Sequence, residues 1–256
     1  MLSTQKRYKE CLEYCEKLKL QTLNEEEYIF AKPFGFRISK KAAITWPTPD
    51  HYQPSSDTLI INKTGGVEMA TCEHLSASAD YFYVENRLFT CVFGLCYWKV
   101  IFALIPGAFT HPFQTKPHDL YEEEFMAERR EYFTAAQKTI SNISDFKQAV
   151  HRQINEKSGI TTPFIAWSNI DKKVIDLTLN RIPMPHGESI FDRMWQHLQV
   201  NRSGFPDLMF FPATGGYELI EAKGPGDKLQ KNQLRWMHYF HRHHIPHRVI
   251  NVEWQA

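Results

Sequence analysis

The sequence predicts an α/β protein, a mixed sheet flanked by helices and preceded by an all-helical segment, and three observations predict it. Leu208-Met209-Phe210-Phe211 is a short apolar run that begins directly after Pro206-Asp207 and stops at the turn residues Pro212-Ala213-Thr214-Gly215-Gly216. Tyr217 to Ala222 then alternates as a second strand, so the two runs form a hairpin. His247 to Trp254, with β-branched Val249, Ile250 and Val252, follows as a third strand after an intervening helix.

Upstream, Tyr8, Cys11, Leu12, Cys15 and Leu18 share one helical stripe, and Asn24 with Glu27 has the pattern of a cap opening a second helix. The stretch from Trp46 to Thr64, with Pro47, Pro49 and Pro54, reads as a loop between helical pieces. Leu88 to Phe109 is an apolar run interrupted by Lys99 and ended by Pro106, too short in its uninterrupted parts to span a bilayer, so it reads as a buried core helix. Gln137 to Lys157 is polar and helix-prone, Ile160 to Pro185 contains Pro163, Pro183 and Pro185, and Phe191 to Val200 resumes a helix. The expected organisation is a helical segment over 1–75, a helical linker over 76–141 and the sheet-bearing domain over 142–256.

Composition sets bounds rather than identity. With 256 residues, 43% of them hydrophobic, the chain can bury one sizeable core with a helical annex. A net charge of +1 is no argument for nucleic acid, so any such surface must be a local basic patch. One candidate follows Gly224, where five Lys and Arg stand against two acids, beside His238, His241, His243, His244 and His247. Five cysteines without a CxxC pair, and a charged start without a secretory leader, predict reduced cytosolic or nuclear thiols, with Cys11 and Cys15 one turn apart for helix packing.

The chemistry concentrates in one pattern: Pro206-Asp207, thirteen residues, then Glu221-Ala222-Lys223. Two carboxylates on neighbouring strands can hold one or two hard divalent cations through oxygen. Lys223 lies two residues past Glu221 and so shares its face of the strand, leaving Ala222 to offer only its backbone carbonyl. A cation lowers the pKa of water and screens phosphate, while an ammonium orients that water or stabilises the developing oxyanion. This is the equipment of phosphodiester hydrolysis. Gly224-Pro225-Gly226 ends the strand, and Asp227 with Gln230 resembles a capping box. Gln233 shares a stripe with Leu229, Trp236 and Phe240, where it either edges the core or supports the adjacent carboxylates.

These residues resemble a known family. Arg202-Ser203-Gly204-Phe205-Pro206-Asp207, Glu221-Ala222-Lys223-Gly224-Pro225 and Asp227-Lys228-Leu229-Gln230-Lys231-Asn232-Gln233 resemble the VRR-NUC nuclease domain of the PD-(D/E)xK superfamily. Tyr83 to Phe89, Phe93-Gly94-Leu95, Trp98, Pro106 to Phe109, His111-Pro112-Phe113-Gln114, Pro117, Asp119-Leu120, Phe125 and Arg129-Arg130 are similar to the Fanconi-associated nucleases. The resemblance spans roughly residues 65 to 256. It implies a restriction-endonuclease-like fold and a phosphodiesterase I activity that uses Mg²⁺ or Mn²⁺ to cut branched DNA such as 5′ flaps during repair of interstrand crosslinks. It also implies a third carboxylate, Glu85, from a helix upstream, so that Glu85, Asp207, Glu221 and the Ala222 carbonyl bind metal and Lys223 completes the site. Arg87, Arg202, Lys228 and Lys231 are the expected DNA contacts, and Arg129 and Arg130 read as a solvated helical face.

No membrane partner is expected, and the place of action is the nucleoid-containing cytoplasm in a bacterium or the nucleus in a eukaryote. Full members of the family carry a DNA-binding module and helical repeats before the matched region, whereas this chain opens in what reads as the middle of those repeats. It is therefore expected to be a fragment, a truncated product or a compact relative. Two other functions compete: a stand-alone VRR-NUC resolvase of four-way (Holliday) junctions, and a truncated protein that binds DNA without cutting it. Glu85 and the His111-Pro112-Phe113-Gln114 segment weigh against the first, and the complete ligand set against the second.

Overall fold

The computed structural model of the chain describes residues 3–20, 25–47, 52–77 and 79–255. They fall into two compact units, Met1–Gln53 and Pro54–Ala256. The first unit holds α1 (Tyr8–Leu20) and α2 (Glu25–Ala42), packed through Cys11, Leu12, Cys15, Ala31, Ile38 and Trp46. Trp46 lies so close to Gly35 that a β-carbon there would meet its ring at 2.4 Å. The Asn24 cap lies outside the described residues.

The second unit begins with β1 (Ser56–Ile61), α3 (Val67–Ser76), β2 (Asp80–Tyr83), α4 (Arg87–Cys96) and α5 (Trp98–Ile101). After an irregular stretch come α6 (Phe125–Glu128), α7 (Arg130–Ile140), α8 (Ile143–Lys157), α9 (Lys172–Arg181), α10 (Met184–Gln196) and α11 (Leu198–Asn201). The hairpin strands β3 (Leu208–Phe211) and β4 (Glu218–Lys223), helix α12 (Lys231–Arg242) and β5 (His247–Trp254) complete it. The sheet runs β1-β5-β4-β3-β2, parallel from β1 through β5 to β4 and antiparallel from β4 through β3 to β2. The mixed, helix-flanked α/β architecture is as the sequence predicts.

Strand alternation divides the apolar residues between two faces. Met209, Phe211 and Leu219 pack with the apolar sides of α4, α8, α9, α10 and α12 in the main core. Leu208, Ile220, Ile250, Val252 and Ile61 face Ala70 and Cys72 of α3. Leu88 to Leu95 of α4 are all buried, which accounts for their unbroken apolar character. Gly94 admits close packing there, since a β-carbon would stand 2.6 Å from that of Phe164. No helix among the described residues is long and apolar enough to cross a membrane.

Several local expectations need correction. The stretch expected as a loop supplies β1, and segments 1–75 and 76–141, expected as helical, between them contribute two of the five strands. The chain divides near residue 53 because β1 is pinned to β5 by long-range ladder bonds. The polar helix over 137–157 is two helices, broken where Asn142 caps α8 by accepting from Ser144 N and Asp145 N. Helix α12 opens at Gln230 rather than Asp227: Gln230 and Gln233 form the capping box, and Leu229 precedes the helix. Asp227 instead accepts from Gly224 N at 3.1 Å.

Arg129 is not on a solvated face, although Arg130 is exposed. The Arg129 side chain is fully buried, donates to both oxygens of Asp119 at 2.6 and 3.1 Å, and stacks 4.0 Å from the Phe125 ring centre. Bidentate geometry and the ring offset the desolvation of the guanidinium. Truncating one partner of such a pair leaves the other uncompensated, so Arg129→Ala should destabilise the fold by about 3 kcal/mol. The check is the urea midpoint at unchanged slope; a loss below about 1 kcal/mol would mean a solvent-tolerant pair.

Candidate active site

The site forms where β3 begins and β4 ends. The β3–β4 ladder runs from Phe210–Glu218 to Leu208–Ile220 and goes no further. Beyond it the Asp207 side chain takes the place of a strand, its Oδ2 accepting from Ala222 N at 3.1 Å. The Asp207 main chain is fixed as well, because its carbonyl accepts from both Val84 N (2.8 Å) and Glu85 N (2.9 Å). Asp207 thus ties together β3, β4 and the turn after β2.

Glu221 lies on a central strand and is 0% exposed, while Asp207 is 8% exposed. Glu221 Oε1 accepts from Lys223 Nζ at 2.6 Å and from Gln233 Nε2 at 2.5 Å. Gln233 is the capping-box residue of α12, and its Oε1 accepts from Gln230 N, so the helix start and Glu221 are joined by one side chain. Glu221 Oε2 is buried without a hydrogen-bond partner. Such an oxygen is unfavourable unless something positive meets it.

Burial pushes the Glu221 carboxyl above the ordinary carboxylate range, and the nearby Asp207 pushes it further, against the pull of Lys223. Burial also raises Asp207, opposed by the Ala222 N–H and reinforced by Glu68 on the first turn of α3. Neither the closeness of Glu68 nor the Tyr83 contact described next has a signal in the sequence.

Glu85 is not on a helix. It occupies the turn between β2 and α4 with φ of 47°, a left-handed conformation uncommon outside glycine. Its backbone sits against Asp207, but its half-exposed carboxylate is engaged by Tyr83 Oη at 3.1 Å and by Arg87 at 3.5 Å. Arg87 also lies over the Tyr83 ring, so it is a partner of Glu85 before it is anything else. Arg202 is half-buried just before Gly204, whereas Lys228 and Lys231 are exposed on the approach to α12 and on its first residue. Among the described residues no three His, Cys, Asp or Glu side chains converge as a ready-made metal cage. Asp207 and Glu221 supply a pair, and the unpartnered Oε2 beside a second carboxylate suits a hard divalent cation.

Residues 142–254 match the VRR-NUC domain family. The Fanconi-associated nuclease 1 homolog of Pseudomonas aeruginosa is 38% identical over 192 residues, 74% of this chain and 34% of that protein. The chain carries a VRR-NUC domain and is a relative of the Fanconi-associated nucleases. A crystal structure of paFAN1 bound to 2-nt 5′-flap DNA with gap superposes with a TM-score of 0.90 at 30% identity, covering 100% of this chain and 48% of that one. The corresponding complex with a 1-nt flap gives 0.87 at 29% identity and the same coverage. This VRR-NUC relative thus spans 34% of the Pseudomonas homolog and 48% of the solved chain, and its sheet is of the restriction-endonuclease-like kind.

The raised carboxyls make stability depend on pH. Above about pH 4 an unfolded carboxyl has lost its proton, whereas the folded pair still holds one. The pair's contribution is therefore complete below that window and is lost as pH rises through the folded values. Glu221→Gln, which cannot ionise, should melt a few degrees above wild type at pH 8 without metal, with the gap closing near pH 4. An equal gap at both pH values would contradict the raised carboxyl.

Proposed function

We propose that this chain is a divalent-metal-dependent DNA nuclease that hydrolyses phosphodiester bonds in branched (5′-flap) or single-stranded DNA ends. The activity is of the phosphodiesterase I type, with Mg²⁺ or Mn²⁺ as cofactor and repair of DNA, including interstrand crosslinks, as the setting. The observation that carries this reading is the buried Glu221 whose Oε2 lacks a partner while Asp207 and Lys223 flank it. Relatives bound to flap DNA support the substrate class.

Asp207, Glu221 and the Ala222 carbonyl would hold the cation, with Glu85 as the third carboxylate. The bound cation supplies Lewis acidity, acidifying water and screening the phosphate. Gln233 and Lys223 occupy Glu221 Oε1, so Oε2 is the oxygen that would be available to the cation. The Ala222 N–H holds one Asp207 oxygen, which fixes the other in direction. Lys223, only 13% exposed, keeps its ammonium at the site, where it orients the attacking water and meets the charge that develops on the phosphate. To serve as that third carboxylate Glu85 would have to give up its contact with Arg87, which would leave Arg87 available to a phosphate. Arg202, Lys228 and Lys231 extend the basic surface along the DNA.

The test is cleavage of end-labelled 5′-flap and single-stranded DNA in Mn²⁺, Mg²⁺ and EDTA. Cutting should require metal and vanish in Asp207→Ala; a variant that cuts normally would remove Asp207 from the site. Lys223→Ala should lower kcat by about 10²–10³-fold while DNA affinity in Ca²⁺ changes little. Matched losses in both would make Lys223 a plain phosphate contact.

A further inference from the structure

Asn86 occupies the N-cap position of α4, where an asparagine oxygen ordinarily accepts from the N–H groups two or three residues on. Here the side chain makes no such cap. Its Oδ1 instead accepts from Gly204 N at 2.7 Å and Phe205 N at 3.0 Å, across more than a hundred residues of sequence. Gly204 is the residue three before Asp207, has φ of 90°, and touches Asn232 so closely that a β-carbon would meet its backbone at 2.9 Å. The turn bearing Glu85 is therefore held at two points: Asn86 on the loop before Asp207, and the Val84 and Glu85 N–H groups on the Asp207 carbonyl. Between those two points sits the one non-glycine residue of the turn in a left-handed conformation, Glu85 itself.

We infer that Asn86 is a positioning residue for metal binding, clamping the β2–α4 turn to the Gly204-Phe205 loop so that Glu85 is set at a fixed offset from Asp207. The inference rests on the metal-nuclease reading above. A local cap is forgone and a left-handed residue is held, both of which are unfavourable by themselves. What is gained is rigid registration of a ligand on a turn to a ligand on a strand. Outer groups of this kind orient metal ligands without touching the metal.

The experiment is Mn²⁺ titration by electron paramagnetic resonance, with melting temperatures of the metal-free proteins alongside. Asn86→Ala should weaken Mn²⁺ binding by about ten- to a hundredfold. Asn86→Asp, whose carboxylate still accepts from both N–H groups, should bind as tightly as wild type or tighter. In a Glu85→Gln background Asn86→Ala should cost no further affinity, because the two act through one ligand. Unchanged binding in Asn86→Ala, failure of the aspartate to rescue, or full additivity with Glu85→Gln would overturn the proposal. Asp207→Ala reports separately on the metal site: if it binds Mn²⁺ like wild type, the underlying reading falls, and if it loses Mn²⁺ while Asn86→Ala does not, only the clamp falls.

Discussion

A carboxylate with no access to water is unfavourable by several kcal/mol unless charge and hydrogen bonds offset it, and Glu221 is offset on one oxygen only. Lys223 and Gln233 share Oε1, Asp207 adds a second carboxyl to the same space, and Oε2 receives no hydrogen bond from a positive or amide donor. The neighbourhood therefore resists carrying its full negative charge without a counter-ion, and both carboxyls hold their protons above the usual range. In the proposed metal site a divalent cation would relieve that conflict by meeting the two carboxyls with positive charge. The same burial keeps Lys223 from drifting into solvent, which is what makes a lysine useful as a positioned charge.

The scaffold exists to hold that arrangement. Glu221 is on β4 and pairs with Val249 of β5, one residue past the point where the β3 ladder stops at Leu208–Ile220. The β3 ladder ends one residue short of Asp207, and the aspartate side chain finishes the pairing that the backbone abandons. Helix α12 delivers Gln233 through a capping box, so the act of starting the helix also sets the hydrogen bond to Glu221. The turn after β2 is tied to Asp207 through main-chain bonds, which brings Glu85 from far away in sequence.

What could be read from the sequence was local and contiguous. β3, β4 and β5 are apolar runs with flanking turn residues, and Asp207, Glu221 and Lys223 stand at their ends, so alternation alone gathers the latter two on one face. β1 escaped because it is an exposed edge strand with Pro54, Ser and Asp around it, made a strand only by pairing with β5 nearly two hundred residues later. β2 has four residues and a half-buried pattern that no period identifies. Arg129 next to Arg130 looked like a charged surface, and only Asp119 and Phe125 in space decide otherwise. Asn86 before an apolar helix reads as an ordinary cap; its long-range use of the same oxygen leaves no trace in spacing. Glu85 came from family resemblance, which carried its position but not its left-handed turn or its Arg87 partner.

The proposed divalent-cation site is tested most directly by anomalous diffraction from crystals grown with Mn²⁺. A peak within coordination distance of Glu221 Oε2 and Asp207, with the Ala222 carbonyl in range, is the expected result, and the Glu85 carboxylate should have left Arg87 to join it. Density for Mn²⁺ elsewhere with that pocket unchanged, or Glu221 Oε2 still without a cation at saturating Mn²⁺, would contradict the assignment.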